Sequence, residues 1–154
     1  MSIGILIYSL TGNTLEVAQK VQRKLAEQGK SSVIERIEIS KDIQNNQVPV
    51  VLERIPDVSK YDKLIIGSPI NGFSLSAPMR TYLNKYGNIK GKEINCYVTQ
   101  HFRQPYLGGN RGIRQINDLC IKHGGRVRHS AIVHWSSPKR PEMIDETVEL
   151  LSRI

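Results

Sequence analysis

A chain of 154 residues, 39% hydrophobic and 23% charged, can close its own core without disulfides or metal, and it holds no repeat or low-complexity tract, so we expect one domain over 1–154. The net charge of +8 admits nucleic acid, an anionic membrane surface or an acidic protein as partner, but scattered lysines and arginines argue for solvated basic faces and against a nucleic-acid patch. Cys96 and Cys120 lack metal or redox spacing, and the apolar start MSIGILIY lacks a basic n-region and is too short to span a bilayer; we expect buried thiols, a cytoplasmic protein and no membrane contact.

Ile3 to Tyr8 is a short, isoleucine-rich apolar run, which predicts a buried parallel strand. The polar turn 9–13 follows. Leu15, Ala18, Val21 and Leu25 then recur at helical spacing up to Gly29. Val33 to Ile39 alternates and suits a less buried strand. From Ser40 to Ser59 the pattern is poor, broken by Pro49 and Pro56; a short helix or irregular connection is expected, with Val48 to Leu52 extended. Lys63 to Gly67 is a further buried strand. Ser76 reads as an N-cap, with Ala77 and Pro78 in the first turn and Met79, Tyr82, Leu83 and Tyr86 on one face. Ile94 to Thr99 is the fourth strand. After a glycine-bearing loop, Ile113, Ile116, Leu119 and Cys120 mark a helix stopped by Gly124 and Gly125. Val127 to Trp135 holds the fifth strand, and Pro141 opens a last helix through Ile144, Val148 and Leu151.

Strands and helices alternate. That order implies an α/β three-layer sandwich, a parallel sheet with helices on both faces, and right-handed crossovers leave few topologies. Ligands of such sheets sit beyond the carboxyl ends of the strands, where strand order reverses. Three loops leave those ends: 9–14, 68–76 and 99–110. All are rich in Gly, Ser, Thr and Asn, and the last two carry aromatics.

The first of them, Tyr8-Ser9-Leu10-Thr11-Gly12-Asn13-Thr14, offers hydroxyls, an amide and backbone N–H groups at a helix N-terminus, which are what a phosphate needs. It lacks the lysine of a nucleoside-triphosphate loop and the glycine spacing of a dinucleotide turn. A monophosphate held by neutral donors fits; a plain turn with a helix cap is the other reading. This turn resembles the phosphate-binding signature of the flavodoxins. YDKLIIGSPINGFSLSAPMRTYLNKYG is similar to the second loop region of flavodoxin-like proteins and FMN-dependent quinone reductases. The resemblance implies a five-stranded parallel sheet of order 2-1-3-4-5 and FMN as cofactor. It implies that Ser9, Thr11, Gly12, Asn13 and Thr14 bind phosphate, Leu10 through its N–H. Ser68, Pro69, Ile70, Asn71, Gly72 and Phe73 would line the isoalloxazine. Thr99, Gln100, His101, Phe102 and Gly108 or Gly109 would border its other side.

A flavin ring needs flat apolar cover, for which Phe73 and Phe102 are candidates and Tyr106 and Trp135 alternatives. Asn71-Gly72 reads as a turn with φ > 0, the place for a carbonyl able to face a reduced flavin; an ordinary tight turn is the plain alternative. His101 is either a donor near the flavin or an exposed loop histidine. His129 and His134 have no ligand partner at metal spacing, and no catalytic triad or carboxylate pair is evident. Three functions are weighed in order: a carrier that transfers electrons through FMN, an NAD(P)H-dependent reductase of quinones or similar acceptors, and a non-redox binding module. The basic balance implies an acidic redox protein as partner.

Overall fold

A computed structural model describes residues 2–40, 50–104 and 106–154. Five parallel strands form the sheet: β1 (Ile3–Ile7), β2 (Ser32–Arg36), β5 (Lys63–Asn71), β7 (Glu93–Gln100) and β8 (Arg126–His134). Their order is β2-β1-β5-β7-β8, the expected 2-1-3-4-5, with the reversal between β1 and β5. Three short strands refine the expectation: the strand expected over 33–39 divides into β2 and β3 (Glu38–Ile39), β4 (Leu52–Arg54) starts at Leu52, where extended chain was expected, and β6 (Ser74–Leu75) was not foreseen. β3 and β4 make an antiparallel pair, and β6 folds back on the end of β5. The described part of the 40–59 stretch therefore carries a strand and no helix; residues 41–49 lie outside the described part.

Helices α1 (Asn13–Glu27) and α4 (Arg140–Leu151) cover one face; α2 (Ala77–Lys85) and α3 (Gly109–Lys122) cover the other. Strand alternation divides the side chains between two cores. Ile3, Ile5 and Ile7 join Val17, Val21, Leu25 and Leu151, whereas Leu6, Leu64 and Ile66 join Met79, Tyr82 and Ile116. Two strand glycines make room for tyrosine rings. A Cβ on Gly4 would lie 2.5 Å from the Tyr61 ring, and one on Gly67 would lie 2.2 Å from that of Tyr97. Both cysteines are free and buried. Among the described residues no helix is long and apolar enough to cross a membrane, and no His, Cys, Asp or Glu cluster could hold a metal.

Candidate functional site

The reversal between β1 and β5 brings the carboxyl ends of β1, β5 and β7 together, and with them the three loops. α1 starts from Gly12, whose φ of 95° is left-handed and suits a residue without Cβ. Gly12 brings no capping side chain, so the positive end of the helix dipole is left open at this turn. Ser9 Oγ accepts the Leu15 N–H at 3.2 Å and holds the turn closed. Thr14 is turned inward: its hydroxyl pairs with that of Thr99 at 2.8 Å, and its carbonyl accepts the Tyr97 hydroxyl at 2.7 Å. Gly67 leaves the space in which that tyrosine ring lies. Burial pushes the Tyr97 pKa up, so it stays a neutral donor.

A cleft of about 150 Å³ opens above this turn. Leu10, Thr11 and Asn13 line one side; Pro69, Ile70 and Asn71 another; Thr99, Gln100 and His101 a third. A second cleft, bounded by Gly72, Phe73, Phe102 and Leu107, shares Ile70, Gln100 and His101 with it. Asn71 Nδ2 is buried without a hydrogen-bond partner on the wall of the first cleft. An orphaned donor of this kind is costly unless a ligand claims it.

The second lip is a two-residue hairpin. Asn71 and Ser74 pair across it, so the turn is centred on Gly72 (φ 57°) and Phe73 (φ 64°), not on Asn71-Gly72 as the sequence had implied. Register decides this, because the strand runs past Pro69 to Asn71. Two positive φ values make a type I′ turn, which fits strand twist but strains a phenylalanine. The Phe73 ring is stacked on that of Phe102, centroids 6.1 Å apart and planes 17° from parallel, and both rings are about half exposed.

The third loop is held from behind. Gln100, His101 and Phe102 carbonyls accept Trp135 N–H (2.6 Å), Ser136 N–H (3.0 Å) and His134 Nδ1 (2.9 Å). The Trp135 ring is engaged by the Arg140 guanidinium, 5.0 Å from its centroid. Of the residues singled out from the sequence, Ser68 is fully buried and bonds Ser76 Oγ at 2.7 Å. Gly108 and Gly109 lie at the start of α3, against Phe73 and Gln100. Three contributors escaped the sequence reading. Leu107 lines the second cleft, Gln115 accepts the Leu75 N–H at 2.8 Å, and Tyr97 supports the first turn. Only Tyr97 left a signal, a large polar-tipped ring in a buried strand opposite a glycine.

No family model matches the chain, and no curated protein matches its sequence. Solved structures do match. A flavoprotein in complex with FMN from Lactobacillus acidophilus aligns at TM-score 0.69 and 18% identity, covering 94% of this chain and 97% of its own. The Streptococcus pneumoniae flavodoxin aligns at 0.68 and 16%, covering 99% and 98%. A Fusobacterium nucleatum flavodoxin mutant bound to flavin mononucleotide aligns at 0.66 and 15%, covering 99% and 95%. The chain has the flavodoxin fold. Its flavodoxin-like sheet places the two clefts at the topological switch point, where this fold class binds ligands.

Proposed function

We propose that the chain binds FMN in these clefts and transfers electrons through it. The observation that carries the reading is the convergence of a lysine-free, hydroxyl-rich helix N-terminus with an aromatic-lipped cleft at one switch point. The N–H groups and hydroxyls of Ser9–Thr14 would hold the phosphate, with Thr14 acting through its inward bonds to shape the turn. Phe73 and Phe102 supply flat apolar cover, Ile70 apolar floor, and Asn71 Nδ2 a free donor. Bound there, FMN would supply one- and two-electron redox chemistry.

The reading includes an acidic redox protein as partner, supported by the +8 charge and by loops 9–14, 68–76 and 99–110, which contain no Asp or Glu. Reduced, buried Cys96 and Cys120 suit a cytoplasmic setting. The test is titration of the purified chain with FMN, followed by visible absorbance and quenching of flavin fluorescence. A saturable yellow complex supports the reading, and absence of binding sinks it. Steady NAD(P)H oxidation by the complex without an added reductase would replace the carrier by an oxidoreductase.

A further inference from the structure

We infer that Gln100 is a positioning residue that sets the third loop's shape, and through it the ring-side wall of the cleft; the inference rests on the FMN reading. Gln100 borders both clefts, but its amide nitrogen is engaged by the loop's own carbonyls. The residue is 2% exposed at the end of β7. Its Nε2 donates to two carbonyls of the same loop, Gln104 O at 2.8 Å and Leu107 O at 3.0 Å. Its own carbonyl accepts the Trp135 N–H. Its Oε1 has no partner and faces the first residue of α3, where a Cβ on Gly109 would come within 2.2 Å of it. A buried acceptor without a donor is unfavourable, but here it lies at the positive end of a helix dipole, which offsets part of the cost.

One residue thus braces the loop, by its main chain at the start and by its side chain in the middle and at the end. Beyond Gln100 itself, this loop presents His101, Phe102 and Leu107 to the clefts. Phe102 is also the ring that meets Phe73. Glutamine is required because both carbonyls need a donor: a glutamate of the same shape would oppose them, and a leucine would leave them unpaired. Gln100 therefore acts on the isoalloxazine side through Phe102 and Leu107, and not on the phosphate turn.

The experiment compares riboflavin and FMN binding to the wild-type full chain and to Gln100→Leu. Both flavins weaken by about tenfold or more, the scale expected from losing two part-buried hydrogen bonds. The ratio of the two dissociation constants stays at its wild-type value, because the phosphate end is untouched. The visible circular dichroism of bound flavin changes. In the ligand-free variant, amide hydrogen exchange accelerates at Phe102, Arg103 and Leu107 and not in β1. Gln22→Leu removes a comparable bond, Nε2 to Ser32 O at 3.1 Å at the far end of the molecule, and leaves all flavin readouts unchanged. Should Gln100→Leu not fold, Gln100→Asn, too short to span both carbonyls, gives the same pattern with a smaller amplitude. If the wild type binds both flavins and the Gln100 variant matches it in affinity, dichroism and exchange, this inference is overturned alone. If the wild type binds neither flavin, the FMN reading is overturned and this inference with it.

Discussion

At the scale of single residues, the support for the first turn is a chain of buried hydroxyls. Thr99 and Thr14 satisfy one another, and Tyr97 satisfies the Thr14 carbonyl. Thr99→Val keeps the shape and strands the 1%-exposed Thr14 hydroxyl, so it should cost about 1–3 kcal/mol in urea denaturation. A cost near zero would mean that Thr14 finds another partner. Phe73 poses the opposite problem. Its φ of 64° costs on the order of 1 kcal/mol, and its stacking on Phe102 returns about 0.5–1.5 kcal/mol. Phe73→Asn removes both, so in the wild type the two effects nearly cancel. In a Phe102→Ala background only the strain remains, and the same substitution should stabilise the ligand-free chain by about 1 kcal/mol. A double-mutant cycle read by urea midpoints checks this; equal effects in both backgrounds would show that the turn is unstrained.

At the scale of elements, α3 is set against the hairpin by a glycine seam. A Cβ on Gly108 would lie 2.7 Å from Phe73 Cα, and one on Gly112 would lie 2.0 Å from Ile70 Cδ1. Gly112→Ala gains helix propensity of about 1 kcal/mol, and the atom it meets is the movable end of a side chain. Stability should therefore change little while Ile70, which floors both clefts, is displaced and flavin affinity falls. A variant that loses stability and keeps affinity would contradict this. At the opposite end of the sheet, Glu93 joins Lys63 of β5 (2.9 Å) and Arg128 of β8 (2.6 Å). The hydrogen bond from Lys63 first, and that from Arg128 second, lower its pKa. A lowered folded-state pKa means stability that is present above the unfolded value of about 4.3 and is lost as pH falls through the folded one. Stability curves of wild type and Glu93→Gln should thus differ at neutral pH and converge in acid; a gap that persists in acid would put the effect in packing.

These elements also show what a sequence discloses. The five parallel strands were legible because each is a short apolar run between turn residues, and the helices because three-to-four spacing survives in α1, α2 and α3. β4 was legible only as extended chain ending at Leu52: it has three residues, one of them buried, and its pairing with β3 joins residues distant in sequence, which no local pattern encodes. The first turn of α3 was hidden by glycines, which read as loop until their close contacts are seen. The site loops were marked by composition, but the roles within them were not. Whether Thr14, Ser68 or Gln100 faces a ligand or a neighbour depends on partners from other strands, and no local pattern encodes those.

At the scale of the molecule, an uneven charge lies at the carboxyl ends of β1, β5, β7 and β8. Loops 9–14, 68–76 and 99–110, and the connection 135–139, contain no carboxylate, while Arg103, Arg111, Lys139 and Arg140 are exposed there. The carboxylates next along the chain, Glu16 and Glu142, lie in the first turns of α1 and α4. Exposed Phe73, Phe102 and Tyr106 belong to the same loops. An apolar centre inside a basic rim matches a partner with the reverse pattern, and charge of this kind acts mainly on the encounter rate. Its reach is the Debye length, about 10 Å at 0.1 M salt, so association with an acidic one-electron protein should slow by about tenfold or more between low and high salt. Arg103→Glu with Arg111→Glu should lower the low-salt rate toward the high-salt value while leaving FMN affinity unchanged, since neither side chain lines a cleft. Stopped-flow reduction of the FMN-loaded chain measures both. A rate that ignores salt, or survives the double reversal, would remove the basic rim from partner recognition and leave the apolar centre alone to account for docking.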